Sequence, residues 1–333
     1  MPTYTMKKTN IYAVGAALVD TEVTVSDEFL QGQSIDKGVM TLVEQSRQAE
    51  LLDALNSCGA NLHRQSGGSA CNTAVAASYF GATACFGGKV ANDEDGELFA
   101  SDLEQANITF YSAKSEIGIT GKCLVMVTDD AERTMNTYLG ISDGFSEAEI
   151  DHNALMSSEW FYIEGYLQTD DQRTAIIKAA VEKAKQNGVK VALSLSDPFV
   201  AQLFGVNLHS VIGDGVDLIF CNKDEALAFT QEDSLETAAE ALKTYTKTFA
   251  ITDGANGALV FDGQELFNAS AVKAKAIDSN GAGDMFAGAF LYAISAGEDY
   301  QSAAKLANKA AAMVVERFGP RLEAADFKQL KAI

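Results

Sequence analysis

Apolar runs of strand length recur along the chain: IYAVGAALV (11–19), ATACFGGKV (82–90), KCLVMVT (122–128), WFYIEG (160–165), VKVALSL (189–195), VDLIFCN (216–222) and TFAITDG (248–254). Between the later runs lie segments of helical period. One is QRTAIIKAAVEKAKQNG (172–188), which closes on the Asn-Gly pair that often ends a helix. Continuous apolar strands alternating with helices predict a mostly parallel sheet covered on both faces, an α/β fold. The region 283–331, including QSAAKLANKAAAMVVERF, predicts successive helices.

Two portions break this alternation. DTEVTVS (20–26) and residues 107–139, with KCLVMVT and RTMNTYL, alternate apolar and polar side chains, the mark of a smaller β layer with one buried face. A lid over a cleft is the natural use of such a layer; an edge extension of the main sheet is the alternative. No internal repeat, low-complexity tract or proline-rich linker divides the chain. The expectation is one domain over 1–333, with a lid built from segments at about 16–40 and 107–140.

Composition narrows the function. At 333 residues, 47% apolar and 21% charged, the chain can bury a large core and is not a disordered protein. Its 46 acidic and 25 basic residues give a net charge of −21, which repels polyanions and argues against nucleic-acid binding. A small phosphate ligand stays compatible, because local amides and a metal override a distant field. No apolar run is long enough to span a bilayer, and MPTYTMKKTN lacks a signal-peptide core, so the expected location is cytoplasmic. Five scattered cysteines without a C-x-x-C pair predict reduced, mostly buried thiols. His63, His152 and His209 lie far apart in sequence, against a zinc site or a Ser-His-Asp site.

Candidate chemistry concentrates in a few short stretches. Neither Gly88-Lys89 nor Gly121-Lys122 completes a P-loop, and Phe286 occupies the third glycine position of a dinucleotide loop. GAGD (281–284) is different. Gly281, Ala282 and Gly283 let main-chain N–H groups converge at a helix start, which suits a transferring phosphoryl group. Asp284 behind them is either a helix cap or the base that takes a proton from an attacking hydroxyl. In SGGSACN (66–72), Gly67-Gly68 permits close backbone approach, and Asn72 suits vicinal hydroxyls; tight helix packing is the alternative. Asn222 and Glu225 share a helix face after a strand, an oxygen pair suited to Mg²⁺ and equally to a capping box. Gly254 and Gly257 either admit nucleotide phosphate or make a hairpin. Arg133 is either a phosphate clamp on the lid or a surface ion-pair partner.

The order of these features resembles the ribokinase (PfkB-type) family of sugar and nucleoside kinases over roughly residues 10–320. Within it, SLSDPF (194–199) and DSNGAGD (278–284) are similar to segments of the adenosine kinases, with Ser194, Asp197 and Ser279 as departures. The resemblance implies a Rossmann-like three-layer α/β/α ribokinase-like fold with a small β-sheet lid, and ATP-dependent phosphorylation of a primary hydroxyl. It implies that Asp284 is the base and that the amides of Gly281, Ala282 and Gly283 form an anion hole. Asp20, Gly67, Gly68 and Asn72 would hold ribose hydroxyls, and Arg133 the phosphates. Asn222 and Glu225 would organise Mg²⁺; Thr252, Gly254, Gly257 and Asn308 would line the ATP site. A monovalent cation such as K⁺, held by carbonyls close to Asp278, is common among relatives. The expected acceptor is a purine nucleoside such as adenosine, with Met135, Tyr138 and Phe199 as base-contacting candidates. A sugar acceptor (ribose, fructose or a keto-deoxy sugar acid) is the alternative, and a catalytically silent ligand-binding relative the non-enzyme one. The assembly is expected to be a monomer or a homodimer, the latter paired through lid strands.

Overall fold

The protein is seen in a computed structural model that describes residues 9–113 and 117–331. The reading of the N-terminus rests on residues 1–8, and the expected lid segment 107–140 includes 114–116; both stretches lie outside the described residues. Among the described residues the strands, in chain order, are β1 (Thr9–Val14), β2 (Leu18–Thr24), β3 (Met40–Leu42), β4 (His63–Gly67), β5 (Ala84–Gly87), β6 (Ile108–Tyr111) and β7 (Gly121–Val127). They continue with β8 (Arg133–Tyr138), β9 (Ser158–Glu164), β10 (Lys190–Ser194), β11 (Val216–Asn222), β12 (Thr246–Thr252), β13 (Ala258–Phe261) and β14 (Leu266–Ala269).

The larger sheet has the order β14-β13-β12-β11-β10-β9-β1-β5-β6 and is parallel from β6 through β12, with an antiparallel edge at β13 and β14. Its strands read as unbroken apolar runs because both faces are covered, yet successive residues still point to opposite sides. Ile11 and Ala13 of β1, Trp160 and Tyr162 of β9, and Leu218 and Phe220 of β11 pack on one face with the helices Ser69–Phe80, Ala282–Ser295 and Tyr300–Val315. Tyr12 and Val14, Phe161 and Ile163, and Ile219 and Cys221 pack on the other, against helices that include Asp171–Gln186 and Lys223–Thr230. No helix among the described residues is long and apolar enough to cross a membrane.

The second sheet has the order β3-β8-β7-β2-β4. One face buries Val23, Leu124 and Met126 against Leu51 and Leu55 of the helix Gln45–Ser57. The opposite face carries Leu18, Cys123, Val125 and Val127, also buried, so β2 and β7 are covered on both faces and the single buried face expected from 20–26 and 122–128 is not what the structure has.

Three local outcomes differ from the strand pattern. The run 11–19 is two strands, because the chain turns between β1 and β2 into the other sheet. A Cβ on Gly15 would stand 2.4 Å from a Glu164 carboxyl oxygen, and that carboxylate accepts the Ala16 N–H at 2.7 Å. Residues 108–111, expected in the lid, instead extend the large sheet as β6, parallel to β5. The helix Glu94–Gln105 lies between the two strands in sequence, the crossover a parallel pair requires. The second sheet also gains β4, which the sequence pattern did not mark because HRQSG carries no apolar alternation.

Candidate active site

The parallel strands all end at one edge of the large sheet, and the strand order fans out in both directions from β1 and β9. Such a switch point leaves a crevice outside the carboxyl ends of the strands. Here the second sheet stands beside it and converts it into a cleft of about 980 Å³, counting its solvent-filled mouth. Ala16, Gly68, Ser69, Asn72, Glu164, Ser196, Asn280 and Asp284 line it from the main-sheet side. Leu18, Asp20, Met40, Leu42, Val125, Arg133, Met135, Thr137 and Leu139 line it from the second sheet. Strand alternation sorts the base-contacting candidates. Arg133, Met135 and Thr137 of β8 face the cleft, whereas Tyr138, one residue out of phase, is not on its wall. Phe199 is not on the wall either; it is 56% exposed, because Asp197 caps the helix Pro198–Leu203 and that helix carries it outward.

Asp284 occupies the first turn of the helix Ala282–Ser295. Gly281 caps that helix with φ 70°, and a Cβ there would stand 2.4 Å from the Pro320 carbonyl, so this turn requires glycine. Gly283 is exposed, with no heavy atom within 4 Å of where its Cβ would be, so its main chain is open to approach. Two side chains from the first turn of the helix Ser69–Phe80 hold the Asp284 carboxylate. Ser69 Oγ donates to Oδ1 at 2.6 Å and Asn72 Nδ2 to Oδ2 at 3.2 Å. Burial raises the Asp284 pKa above the ordinary aspartate value, opposed by these two hydrogen bonds and by Arg133 and Arg321. Gly68 begins the Ser69–Phe80 helix at φ 93°, its Cα face against the Ala16 carbonyl, and a Cβ on Gly67 would collide with the Asp20 carboxylate. The glycine pair thus brings Asp20 and Asn72 to one wall.

Arg133 is not a surface ion pair. Its Nη1 donates to Asn280 Oδ1 at 3.2 Å, and Asn280 Nδ2 donates to the buried Glu22 at 3.0 Å. The loop before GAGD is fastened by Asp278, whose carboxylate accepts the N–H groups of Asn280 at 2.8 Å and Gly319 at 2.9 Å. Burial pushes Asp20 up to about 7, against the pull of Arg321 and helped by Asp284. Burial and then the Asp20 charge push Glu22 up to about 8. Glu164 rises to about 7 by burial, although it accepts the N–H groups of Ala16 and Ala70. A cleft lined with acids held partly protonated is able to exchange protons near neutrality and to welcome cationic counter-charge.

Asn222 and Glu225 form a complete capping box at the end of β11. Asn222 Oδ1 accepts the Glu225 N–H at 2.8 Å, and Glu225 Oε2 accepts the Asn222 N–H at 3.1 Å. Burial raises Glu225 to about 8, and Asp197 and Asp284 add to the rise. No cluster of three acidic, His or Cys side chains able to enclose a metal occurs among the described residues. This donor set still fits Mg²⁺, which keeps several waters and is commonly held by one or two carboxylates plus substrate phosphates. Thr252 pairs in register with Asn222 on the neighbouring strand, so the two sit side by side at the same sheet edge. Gly254 and Gly257 lie in the β12–β13 hairpin, both with positive φ. Asn308 is buried and donates to the carbonyls of Ala269 and Ser270 at 2.9 and 3.1 Å. The cleft therefore gathers Asp20, Gly68, Asn72, Arg133 and Asp284. Gly67, Asn222, Glu225, Thr252, Gly254, Gly257, Gly281, Ala282, Gly283 and Asn308 lie off its wall.

Several participants were missed in the sequence. Arg321 donates from Nε to Asn72 Oδ1 at 2.8 Å and from Nη1 to Ser66 Oγ at 2.9 Å. Glu22 and Glu164 had no motif around them, and Ser69 lay inside SGGSACN without being singled out. The only available signal for Arg321 was an arginine after Gly-Pro in a chain poor in arginine. For Glu22 it was an acid at an inward position of an apolar-alternating strand.

Fold and cleft together define a class: a three-layer α/β kinase whose late glycine turn and helix-borne aspartate meet a β-sheet lid. The chain belongs to the PfkB family of carbohydrate kinases, whose family model matches residues 34–326. It is accordingly a phosphotransferase acting on a hydroxyl group. It is similar to the adenosine kinase of Saccharomyces cerevisiae, 29% identical over 93% of this chain and 96% of that one. Among solved structures it is similar to the adenosine kinase of Sinorhizobium meliloti, 31% identical with TM-score 0.90 over 98% of this chain and 100% of that one. It is also similar to a "probable sugar kinase protein" from Rhizobium etli, 30% identical with TM-score 0.92 over 98% and 100%. The fold class expected from the resemblance is the one found.

Proposed function

We propose that the protein transfers the γ-phosphoryl group of MgATP to the 5′-hydroxyl of adenosine. The observation that carries this reading is Asp284, set in the first turn of its helix at the cleft wall with both carboxylate oxygens oriented by Ser69 and Asn72. Asp20, Gly68 and Asn72 bind the ribose hydroxyls, which places the 5′-hydroxyl before Asp284. The apolar wall of Leu18, Met40, Leu42, Val125 and Met135 receives the purine. Asp284 takes the hydroxyl proton as the oxygen attacks in line, and the amides of Gly281, Ala282 and Gly283 stabilise the phosphoryl in transit. Arg133 neutralises phosphate charge from the lid.

Thr252, Gly254, Gly257 and Asn308 hold the nucleotide. Gly254 has open space around it, and Thr252 adjoins Asn222. Asn222 and Glu225 hold the water shell of Mg²⁺, which when bound neutralises the β- and γ-phosphate charge. A buried Asp278 with acceptor capacity beyond its two N–H partners fits a weakly held monovalent cation beside the turn. The second sheet acts as a lid on a single domain and excludes water, which would otherwise hydrolyse ATP.

One experiment tests the assignment: a panel of nucleosides and sugars under a single ATP-coupled assay, run on wild type and Asp284→Asn. Adenosine is expected to turn over best, and the variant to fold, bind nucleotide and lose roughly 10²–10⁴-fold in kcat. Ribose preferred by a wide margin would move the acceptor to the sugars, a reading that the Rhizobium etli relative favours. Near-normal turnover by the variant would remove Asp284 from its role.

A further inference from the structure

Asn72 stands between two groups of fixed hydrogen-bonding character. On one side is Asp284, and on the other Arg321, whose Nε lies 2.8 Å from Asn72 Oδ1. A guanidinium has donors only and keeps its charge at every accessible pH. It accepts nothing, so it forces the amide oxygen of Asn72 toward itself and the amide nitrogen toward Asp284. The amide is thereby locked as a donor to the carboxylate. Arg321 is itself fixed, with Nη1 on Ser66 Oγ at 2.9 Å and Nη2 on Cys71 Sγ at 3.4 Å, one residue before the asparagine it orients. Asn72 is buried, so an amide turned the other way would set its oxygen against the Asp284 carboxylate and leave that carboxylate one donor short.

We propose that Arg321 is a positioning residue for phosphoryl transfer, acting through the Asn72 amide to hold the Asp284 carboxylate in its proton-accepting orientation. The inference rests on Asp284 being the proton acceptor. It assigns to the segment after the Tyr300–Val315 helix a task that the GAGD turn alone does not perform. Arg133, Asn280 and Glu22 repeat the arrangement on the other side of the turn: a donor-only arginine, a bridging amide and an acidic acceptor. The charged or titratable groups facing Asp284 are Arg133 on β8, Arg321, Asp20 on β2, Glu164 on β9, Glu225, and the phenols of Tyr162 and Tyr166.

The test compares Arg321→Gln, whose amide can donate or accept and so frees Asn72 to turn, with Arg321→Lys, again donor-only. Arg321→Gln is expected to lower kcat roughly 10- to 100-fold. The KM for ATP should stay unchanged, and the acid limb of kcat should move up by on the order of one pH unit. Arg321→Lys should recover most of kcat and return the acid limb. Asn72→Leu should also move the acid limb up, and adding Arg321→Gln to it should move the limb by less than Arg321→Gln does alone, since only the direct guanidinium charge on Asp284 is then left to lose. If Arg321→Gln alone does not fold, Asn72→Leu by itself carries the test: an acid limb unchanged from wild type in that variant overturns the proposal. Wild-type kcat and acid limb in folded Arg321→Gln would overturn the proposal, as would additive shifts in the double variant. If instead Asp284→Asn keeps turnover, the fault lies with the base assignment and not with the relay.

Discussion

Glu22 offers a sharp test of how the buried acids of the cleft are held. It is almost wholly buried on β2, and its pKa is pushed from the usual 4.5 to about 8, first by burial and next by the Asp20 charge. Below pH 4.5 the carboxyl is protonated in both folded and unfolded chains, and ionisation costs nothing. Between 4.5 and about 8 the unfolded chain has lost the proton while the folded one keeps it, so stability falls as pH rises. The slope is about 1.4 kcal/mol per pH unit, ~5 kcal/mol over the whole window. Asp20 titrates in the same window and shares the repulsion, so removing Glu22 alone recovers about half, ~2–3 kcal/mol. Glu22→Gln has no proton to lose, and its amide oxygen still accepts from Asn280 Nδ2, keeping Arg133 in place. Thermal midpoints of both proteins at pH 5, 6.5 and 8 should show a small difference at pH 5 that widens to roughly 3–4 °C in favour of the variant at pH 8. At neutral pH its kcat should stay within about twofold of wild type, since the hydrogen-bond chain survives. Parallel midpoint curves, or a wild type that gains on the variant with rising pH, would refute the burial-driven account.

Other outcomes follow from the same geometry. Gly68→Ala combines a positive φ with a Cβ 2.2 Å from the Ala16 carbonyl, and should cost ~3 kcal/mol in denaturant unfolding together with most of the activity. Met135→Ala removes an apolar side chain from the lid wall and should raise the nucleoside KM about tenfold with little change in kcat, measured by steady-state kinetics. Glu225→Gln can still accept the Asn222 N–H but loses the bond from Asn222 Nδ2, which donates to Glu225 Oε1 at 2.7 Å. It should cost ~1 kcal/mol in denaturant unfolding and need at least roughly tenfold more Mg²⁺ for half-maximal rate, read from a metal titration.

Some of this protein was settled by local chemistry. Apolar strands alternating with helical segments specify the parallel sheet, because a strand buried on both faces needs apolar residues at every position and a crossover helix to return. The glycines at 68 and 281 are likewise legible: main chain that approaches another carbonyl this closely leaves no room for a Cβ. The turn at Gly15 was not legible, because it depends on Glu164, which approaches from a strand almost 150 residues away. Strand order also decided that β6 joins the large sheet, and the course of the helix Pro198–Leu203 decided that Phe199 lies off the cleft wall. The same holds for Arg321 reaching Asn72 across 249 residues and for Glu22 meeting Asn280 across 258. A side chain's type announces what it can donate or accept. Which partner it finds depends on the packing of distant segments, and no local pattern encodes that packing.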